Sequence, residues 1–502
     1  MNKIISESQF IEAIKFAKMI AVGGFRRSGT PQQLLRLIRE SYDDSGTPSK
    51  ITLMFSSTPT DPGVDILAHK ELLYCTIGSF YGSIPLIRTL IQENKIQGYS
   101  LPQGQIALLF REIGRGSPGL ISNVGRNTFV DPEIDGGKLN NLTKDNAVEI
   151  INLRGESYLF YKSPSIDVAL LRGSVSDSFG NISMKDEPIK TEFLAMAQAA
   201  KSSGGKVFAQ VAGNIGSQFS PQEVDLPAHL VDGIVLCNDQ KRDHRQTNQY
   251  HLHVGLLTKQ FDKVNSEDND VLFKQLIAKR ALKELRNTSR VNLGQGLPEL
   301  VGIYAKQKPD SYHHVVTYLE SGVIGGIPER RPDFGAAMGP DAFLTQDSQF
   351  AGFNGGQLDC AILSFAQLDQ YANINVSRIG TEDFGCGGFM DIAHATKKLV
   401  FVGSFTTKGL EIQRSGSTLT ILKEGTIQKC VSSVSQVTYS SKLQKEKSQN
   451  IMVITERCVF EIHNGHLILT EIADGVDIQK DIVEQMQFIP EISDPLIPLV
   501  WD

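Results

Sequence analysis

The sequence predicts an α/β protein built from two related open α/β domains joined by a polar linker. One observation is a strand and glycine-rich loop at Ile20–Phe25 followed by an amphipathic run at Pro31–Ser41. The same order of elements recurs at Arg290–Lys306. Another is a pair of segments, ending at Met184 and Val376, that each run from an acidic residue through a buried strand and a polar turn to Asn-Ile. Internal similarity of this kind indicates two divergent copies of one unit.

The boundary between the copies falls in Asn238–Asn269, a stretch that is polar, charged and rich in histidine. We predict an N-terminal domain over residues 1–250, a solvated linker over 251–269 and a C-terminal domain over 270–502. Loops of this composition separate domains because they bury little apolar surface.

The C-terminal copy begins with a predicted helix from Asp270 to Asn287, because its apolar residues recur at helical spacing. Beyond Gly409 the apolar residues alternate or pair between glycine and asparagine turns, which predicts mainly β structure. A last helix is expected at Ile478–Gln487.

Composition excludes several classes of partner. The chain of 502 residues carries 50 basic and 56 acidic side chains, so its net charge of −6 does not favour binding to nucleic acid or to an anionic membrane. Glu7 and Glu12 interrupt the apolar core that a signal peptide would need, and no run of about 18 apolar residues follows. We therefore expect a cytoplasmic protein.

Metal and redox sites are not predicted. The six cysteines form no C-x-x-C pair, which is typical of buried, reduced thiols. His251 and His253 stand two positions apart on the polar linker without a third ligand nearby. A metal site needs a full ligand set, so we interpret both as linker residues.

A possible dinucleotide motif is present at Gly114–Gly119, where the sequence fits G-x-G-x-x-G. That fingerprint follows a strand and opens a helix, whereas the preceding residues here form an amphipathic helical pattern. Pro118 also removes a backbone donor that a phosphate would use. No dinucleotide cofactor is predicted.

The segment Val315–Gly326 carries the candidate chemistry. Its apolar, β-branched start predicts a strand that ends at Glu320, and open α/β sheets bind ligands at strand ends. The glycines Gly322, Gly325 and Gly326 allow the backbone to approach a substrate closely. Taken alone, the tripeptide starting at Glu320 is also typical of a solvated glutamate before a turn.

The chain as a whole resembles the family I coenzyme A transferases, particularly the single-chain type that acts on acetate, propionate and acetoacetate. The resemblance is carried by Glu320–Gly325 and by further blocks in the same order: Leu101–Gly104, Ser117–Gly125, Thr128–Pro132, Gly136–Asn140, Val291–Pro298, Gly385–Ile392 and Thr455–Phe460. It implies tandem CoA-transferase domains in a homodimer or homotetramer. It also implies an acyl-CoA and a short-chain carboxylic acid as binding partners, with coenzyme A as a substrate and no cofactor.

The resemblance assigns roles to individual residues. Glu320 becomes the nucleophile, and Gln103 and the backbone N–H of Gly388 become the oxyanion hole. Substrate or CoA binding is implied for glycines on both sides of the site: Gly23, Gly24, Gly322, Gly325 and Gly387. Without the resemblance, Gln103 would be interpreted as a surface amide, and the Gly387–Gly388 pair equally as a tight turn.

The chemistry follows from the residue types. A carboxylate can hold an acyl group and a thioester in turn, which gives covalent ping-pong transfer without a general base. Two other functions stay open on this scaffold: hydrolysis of acyl-CoA thioesters, with water as the acceptor, and a non-catalytic role in ligand binding.

Several arginines depart from the family pattern. Arg26 and Arg27 follow the first glycine-rich loop, and Arg330 and Arg331 follow the catalytic turn. They belong either to solvated loops or to sites for a second substrate carboxylate or a CoA phosphate, because a guanidinium matches both. The acyl specificity is left open by these residues.

Overall fold

The computed structural model describes residues 3–259 and 270–501, so residues 260–269 of the predicted linker lie outside the described residues. The α-helices are α1 (Glu7–Ile14), α2 (Gln32–Ser45), α3 (Pro85–Gln92), α4 (Gln103–Gly114), α5 (Phe193–Ser202), α6 (Gln240–Asp243), α7 (Leu272–Leu282), α8 (Leu297–Gln307), α9 (Pro309–Tyr312), α10 (Gln346–Asn354), α11 (Phe389–Ala395) and α12 (Lys442–Lys447).

The strands of the first half are β1 (Met19–Val22), β2 (Ile51–Met54), β3 (Leu73–Gly78), β4 (Gln97–Ser100), β5 (Gly119–Ser122), β6 (Val148–Leu153), β7 (Glu156–Lys162), β8 (Val168–Ser176), β9 (Ile182–Ser183), β10 (Lys206–Asn214) and β11 (Gly233–Leu236).

The strands of the second half are β12 (Arg290–Leu293), β13 (Val316–Thr317), β14 (Val323–Ile324), β15 (Ile327–Pro328), β16 (Ala337–Met338), β17 (Ala342–Phe343), β18 (Cys360–Ser364), β19 (Gln367–Asp369), β20 (Ile374–Asn375), β21 (Arg378–Ile379), β22 (Glu382–Asp383), β23 (Lys398–Val402), β24 (Thr406–Thr407), β25 (Glu411–Ser415), β26 (Thr418–Lys423), β27 (Ile427–Gln428), β28 (Cys430–Val431), β29 (Asn450–Ile454), β30 (Cys458–His463), β31 (His466–Ile472) and β32 (Glu491–Pro498).

Each half is built on one large sheet, and the two sheets share a strand order. The first runs β11-β10-β8-β1-β2-β3-β4, and the second runs β13-β12-β18-β23-β29-β30-β31-β32. The five strands β2-β1-β8-β10-β11 match β13-β12-β18-β23-β29, and every neighbouring pair in both sets is parallel. The two strand, loop and helix signatures form β1 with α2 and β12 with α8. The predicted pair of related open α/β domains is therefore confirmed.

Both sheets are buried on their two faces, as parallel sheets usually are. In β8, Val168 and Leu170 join one hydrophobic cluster while Ala169 and Leu171 join another on the opposite face. Strand β18 divides its residues between two clusters in the same way. Helix α4 of the first half packs on α10 and α11 of the second, so the halves share a buried boundary.

Several predicted elements differ in detail. The helix expected at Asp270–Asn287 is α7 followed by a 3₁₀ turn at Lys283–Leu285. The predicted last helix is a π-helical turn, Ile478–Ile482, and a 3₁₀ turn, Val483–Gln485. The mainly β character beyond Gly409 is confirmed.

The polar stretch before the predicted linker is partly buried, and the described start of the linker is mixed, because Leu252 and Val254 are exposed while Leu256 is buried. Thr247 is buried, and its hydroxyl donates to Asp333 Oδ2 at 2.9 Å. The backbone N–H of Asn248 donates to Asp333 Oδ1 at 2.7 Å, and that of His253 donates to Gln246 Oε1 at 2.6 Å. These groups bond to each other and to Asp333 of the second half, which the composition of the stretch does not reveal.

The glycine motif at Gly114–Gly119 ends helix α4 and leads into strand β5. This is the reverse of the context that a dinucleotide fingerprint requires, so the predicted helix before the motif is confirmed, and the absence of a dinucleotide cofactor stays a prediction. None of the helices among the described residues is long and apolar enough to cross a membrane. All six cysteines are buried as free thiols.

Candidate active site

Glu320 lies in a tight turn that follows β13 at the edge of the second sheet. Tyr318 still donates to Val291 of the neighbouring strand at 2.8 Å. The turn then closes through two backbone hydrogen bonds: the N–H of Leu319 donates to Val323 O at 2.9 Å, and the N–H of Gly322 donates to Leu319 O at 3.0 Å. Glu320 is at the tip of this turn, so its side chain points out of the sheet into the boundary between the halves.

A cavity of about 510 Å³ occupies this boundary. Its walls come from both halves and combine six phenylalanine rings with few charged groups. The lining includes Phe25, Arg26, Ser57, Phe80, Gln103, Glu320, Arg331, Phe334, Phe365, Phe384, Cys386, Gly387, Gly388 and Phe389. The structure thus brings the predicted nucleophile and both predicted oxyanion-hole residues to one cavity.

Gly388 packs directly against the carboxylate of Glu320. A Cβ atom built on Gly388 would lie 2.6 Å from Glu320 Oε2 and 3.2 Å from its carboxyl carbon. The backbone N–H of Gly388 has no hydrogen-bond acceptor among the described residues. A free donor beside the nucleophile is suitable for stabilising the negative charge that forms on the carbonyl oxygen when Glu320 attacks the carbonyl carbon.

Gln103 begins helix α4 and is 3% exposed, so it is not a surface amide. Its backbone N–H donates to Gly387 O at 3.0 Å, which ties the first half to the glycine turn of the second. Its side-chain Nε2 donates to Ser57 Oγ at 3.4 Å, and Ser57 in turn donates to Gln346 Oε1 at 2.8 Å. One N–H of the Gln103 amide is held by Ser57, and the other is left for the cavity.

Asp391 fixes the same boundary and was missed by sequence reasoning. Its carboxylate accepts from the Gly104 backbone N–H at 2.9 Å, from Gln105 Nε2 at 2.6 Å and from Asn354 Nδ2 at 3.3 Å. Burial raises the pKa of Asp391 to about 6. The only signal was its place in the Gly385–Ile392 block, because the partners that reveal its role come from distant parts of the chain.

The electrostatics of Glu320 are dominated by desolvation. Burial raises the pKa of Glu320 to about 7, while Arg26 lowers it and Asp391 raises it. A carboxylate removed from water loses the hydration that blunts its reactivity, so the same burial that raises the pKa favours nucleophilic attack by the ionised form.

The five predicted binding glycines divide into two groups. Gly387 lines the cavity, with a φ of 52°. Gly23, Gly24, Gly322 and Gly325 lie outside the described lining. Gly322, with a φ of 99°, is packed against the carbonyl of Leu344, so its role in the structure is to form the turn that presents Glu320. Contacts of these glycines with substrate stay predictions.

The four arginines that depart from the family pattern fall into two groups, those bound by other protein groups and those that line the cavity. Arg27 donates to the backbone carbonyls of Asp61 and Arg242, and Arg330 pairs with Asp270 at 2.8 Å. Arg26 and Arg331 line the cavity instead.

Comparisons with known proteins agree with this geometry. The family model described as Coenzyme A transferase matches residues 9–236. The caffeate CoA-transferase of Acetobacterium woodii is 37% identical over 505 residues, covering 98% of this chain and 95% of that protein. The acetate CoA-transferase YdiF of Escherichia coli O157:H7 is 33% identical over 483 residues, covering 95% and 89%.

A solved structure of YdiF from Escherichia coli O157:H7, described as a thioester complex with CoA, superimposes with a TM-score of 0.91. It is 30% identical and covers 100% of this chain and 95% of that one. Similarity of this extent in sequence and fold shows that the chain belongs to the family I coenzyme A transferases.

Proposed function

We propose that this enzyme moves coenzyme A between an acyl-CoA and a free carboxylic acid through covalent intermediates on Glu320. The observation that carries the proposal is the carboxylate of Glu320 held against the Gly388 backbone in an aromatic cavity, with the Gln103 amide on the same wall. The description of the related YdiF structure as a thioester complex with CoA supports it.

The reaction proceeds in two half-reactions. Glu320 attacks the thioester carbonyl of the donor, the C–S bond breaks, and an acyl-glutamyl anhydride and CoA thiolate form. The thiolate then attacks the glutamyl carbonyl, which releases the first acid and leaves a glutamyl-CoA thioester. An acceptor carboxylate repeats these steps in reverse. Both nucleophiles are anionic, so no general base is needed.

Each tetrahedral intermediate carries a negative oxygen that the site must stabilise. The free N–H of Gly388 and the second N–H of the Gln103 amide are the donors that support this step. Because they are fixed by the protein before the substrate binds, they need no reorganisation during the reaction.

Short-chain acids such as acetate, propionate and acetoacetate are our proposed substrates. The family resemblance and the name of the YdiF relative support them, while the caffeate relative shows that the family also includes a protein named for an aromatic acid. A cytoplasmic location and a homodimeric or homotetrameric assembly belong to the same proposal.

Intact-protein mass spectrometry after incubation with acetyl-CoA tests the mechanism. We expect a CoA adduct that peptide mapping places on Glu320 and that disappears when free acid is added. Steady hydrolysis of acetyl-CoA without an acceptor acid would favour a thioester hydrolase instead. The absence of both an adduct and turnover with every short acyl-CoA tested would contradict the proposal.

Replacing Gln103 with alanine is expected to lower kcat by about 10²–10³, because one oxyanion donor is lost. The KM for acyl-CoA is expected to change little, since the amide acts mainly on the transition state. Steady-state kinetics measure both, and a thermal melt of the variant checks that α4 still packs on the second half. An unchanged kcat would show that Gln103 does not face the reacting carbonyl.

The rate of adduct formation is expected to rise with pH through about 7. Burial raises the pKa of Glu320 to about 7, and only the ionised carboxylate attacks, so activity falls as the pH drops below this value. Single-turnover measurements of the adduct between about pH 5 and pH 9 give the profile. A midpoint near the ordinary value of 4.5 would mean that Glu320 is solvated in the working enzyme.

A further inference from the structure

The guanidinium of Arg26 faces the cavity without an anionic partner. It has no hydrogen bond and no ion pair among the described residues, and its contact is with the ring of Phe334, 5.9 Å from the centroid. Burial lowers the pKa of Arg26. A desolvated cation is costly to leave unpaired, so its position favours the binding of an anion.

The backbone holds Arg26 in a fixed place. Its φ of 52° is unusual for a residue with a side chain. The conformation is maintained from both sides, since the Arg26 N–H donates to Thr58 O at 3.1 Å and its carbonyl accepts from Thr60 N at 2.9 Å and Thr30 Oγ1 at 2.6 Å. Strained backbone that is held in this way is common where a side chain must be aimed at a ligand.

The charges around Arg26 do not pair with it directly. Asp61 and Glu299 contribute attraction, but neither lies within ion-pair distance. Asp61 is bound by Asn248, and Glu299 is closest to Arg330, at 4.0 Å.

The charges on the cavity wall change during the proposed reaction. The ionisable lining groups that carry charge are Glu320, Arg26 and Arg331, and Arg331 donates to Gln295 at 2.7 Å. In the free enzyme the Glu320 carboxylate offsets part of the positive charge. Once Glu320 is joined to CoA as a thioester it is neutral, and the two guanidinium groups face the cavity without an anion.

We propose that Arg26 binds a carboxylate of the acid substrate, and that it does so when Glu320 is in the glutamyl-CoA form. This inference rests on the proposed function. The acid's carboxylate oxygen then bonds to the glutamyl carbonyl carbon, the C–S bond breaks, and CoA leaves as the thiolate. Formation of the thioester removes the negative charge of Glu320 and leaves the positive charge of Arg26 free to capture the next substrate, which enforces the order of a ping-pong reaction.

The test separates the two half-reactions in Arg26→Gln and Arg26→Lys variants. The glutamyl-CoA adduct is formed with acetyl-CoA, freed of excess reagent, and discharged with increasing propionate or succinate while its mass is followed. For Arg26→Gln we expect adduct formation to at least the wild-type extent, but an acid concentration for half-maximal discharge raised about 10- to 100-fold. Arg26→Lys keeps the charge and loses the bidentate geometry, so a smaller rise is expected.

Arg330→Gln is the matched control, because it removes an arginine charge near the site whose partner is Asp270. It is expected to leave the acid dependence unchanged. Equal effects of Arg26→Gln on both acids identify the reacting carboxylate as the ligand, and an effect confined to succinate identifies a second carboxylate; either supports the proposal.

Two results would overturn parts of the scheme separately. No adduct in the wild-type protein would contradict the proposed function itself. An adduct in all variants with the same acid dependence would leave that function intact and reject the role of Arg26. If Arg26→Gln fails to fold, a wild-type acid dependence in Arg26→Lys gives the same rejection.

Discussion

Replacement of Glu320 by glutamine is expected to stop CoA transfer, with a rate loss on the order of 10⁴-fold or more. Glutamine keeps the shape of the side chain, but its amide cannot form the anhydride or the thioester. The measurements are the steady-state transfer rate and the intact mass after incubation with acetyl-CoA. Transfer at a rate near that of the wild-type enzyme would exclude Glu320 as the nucleophile.

The stability of the same variant separates loss of the nucleophile from loss of the fold. Glu320 has an ordinary pKa of 4.5 and a folded-state pKa of about 7, so the folded state binds its proton more tightly than the unfolded state. The stabilisation that the tighter proton binding gives the folded state is present at low pH and is lost as the pH rises from 4.5 to about 7. At about pH 8, Glu320→Gln is therefore expected to raise the free energy of unfolding by about 2 kcal/mol. This is less than the full pKa shift would give, because solvent at the cavity mouth weakens the effect.

Urea unfolding at that pH measures the difference, and the difference is expected to shrink towards pH 4.5, where Glu320 is protonated in the folded state. An inactive variant that is as stable as the wild-type protein, or more so, has lost chemistry and not structure. An inactive and destabilised variant would leave the role of Glu320 unsupported.

The overall architecture could be predicted because it depends on local patterns that occur twice. The apolar strand and glycine loop at Ile20–Phe25 and the corresponding elements at Arg290–Lys306 fix parallel strands of the two sheets. Glu320 could also be placed, since a strand end in an open α/β sheet is set by the residues before it. The strand itself spans only Val316–Thr317, with Tyr318 continuing the pairing as an isolated bridge to Ile324, so the position of its end was predictable and its length was not.

The surroundings of Glu320 could not be predicted from local pattern. Asp391 binds Gly104 and Gln105, which lie 287 and 286 positions away in the chain. Thr247 is buried on Asp333 because two distant segments meet. Contacts of this kind depend on how the halves dock, and no spacing of residues within one segment encodes them.

The directions in which the arginine side chains point could not be predicted from local pattern either. Arg26 and Arg27 are neighbours with the same chemistry, yet one faces the cavity and the other is bound by backbone carbonyls. The positive φ of Arg26 turns the two side chains in different directions. Sequence reasoning singled out the four arginines, but only the fold distinguishes those that line the cavity from those that are bound elsewhere.

Adding one methyl group at Gly388 is expected to lower kcat by about 10²–10³. The new Cβ would lie 2.6 Å from Glu320 Oε2 and 3.2 Å from Phe350 Cζ, so the carboxylate must move away from its position. The φ of Gly388 is −81°, which alanine adopts readily, so the effect comes from contact and not from backbone strain. The measurement is the rate of glutamyl-CoA formation by Gly388→Ala.

Gly213→Ala provides the control, because a Cβ there meets nothing within 4 Å and the residue lies in a strand. It is expected to retain wild-type activity. If Gly388→Ala forms the adduct as fast as this control, the carboxylate does not need its contact with the Gly388 backbone. A slow reaction with an unchanged pH midpoint would show instead that the methyl group displaces the nucleophile without returning it to solvent, because re-solvation would lower the pKa of Glu320 towards its ordinary value.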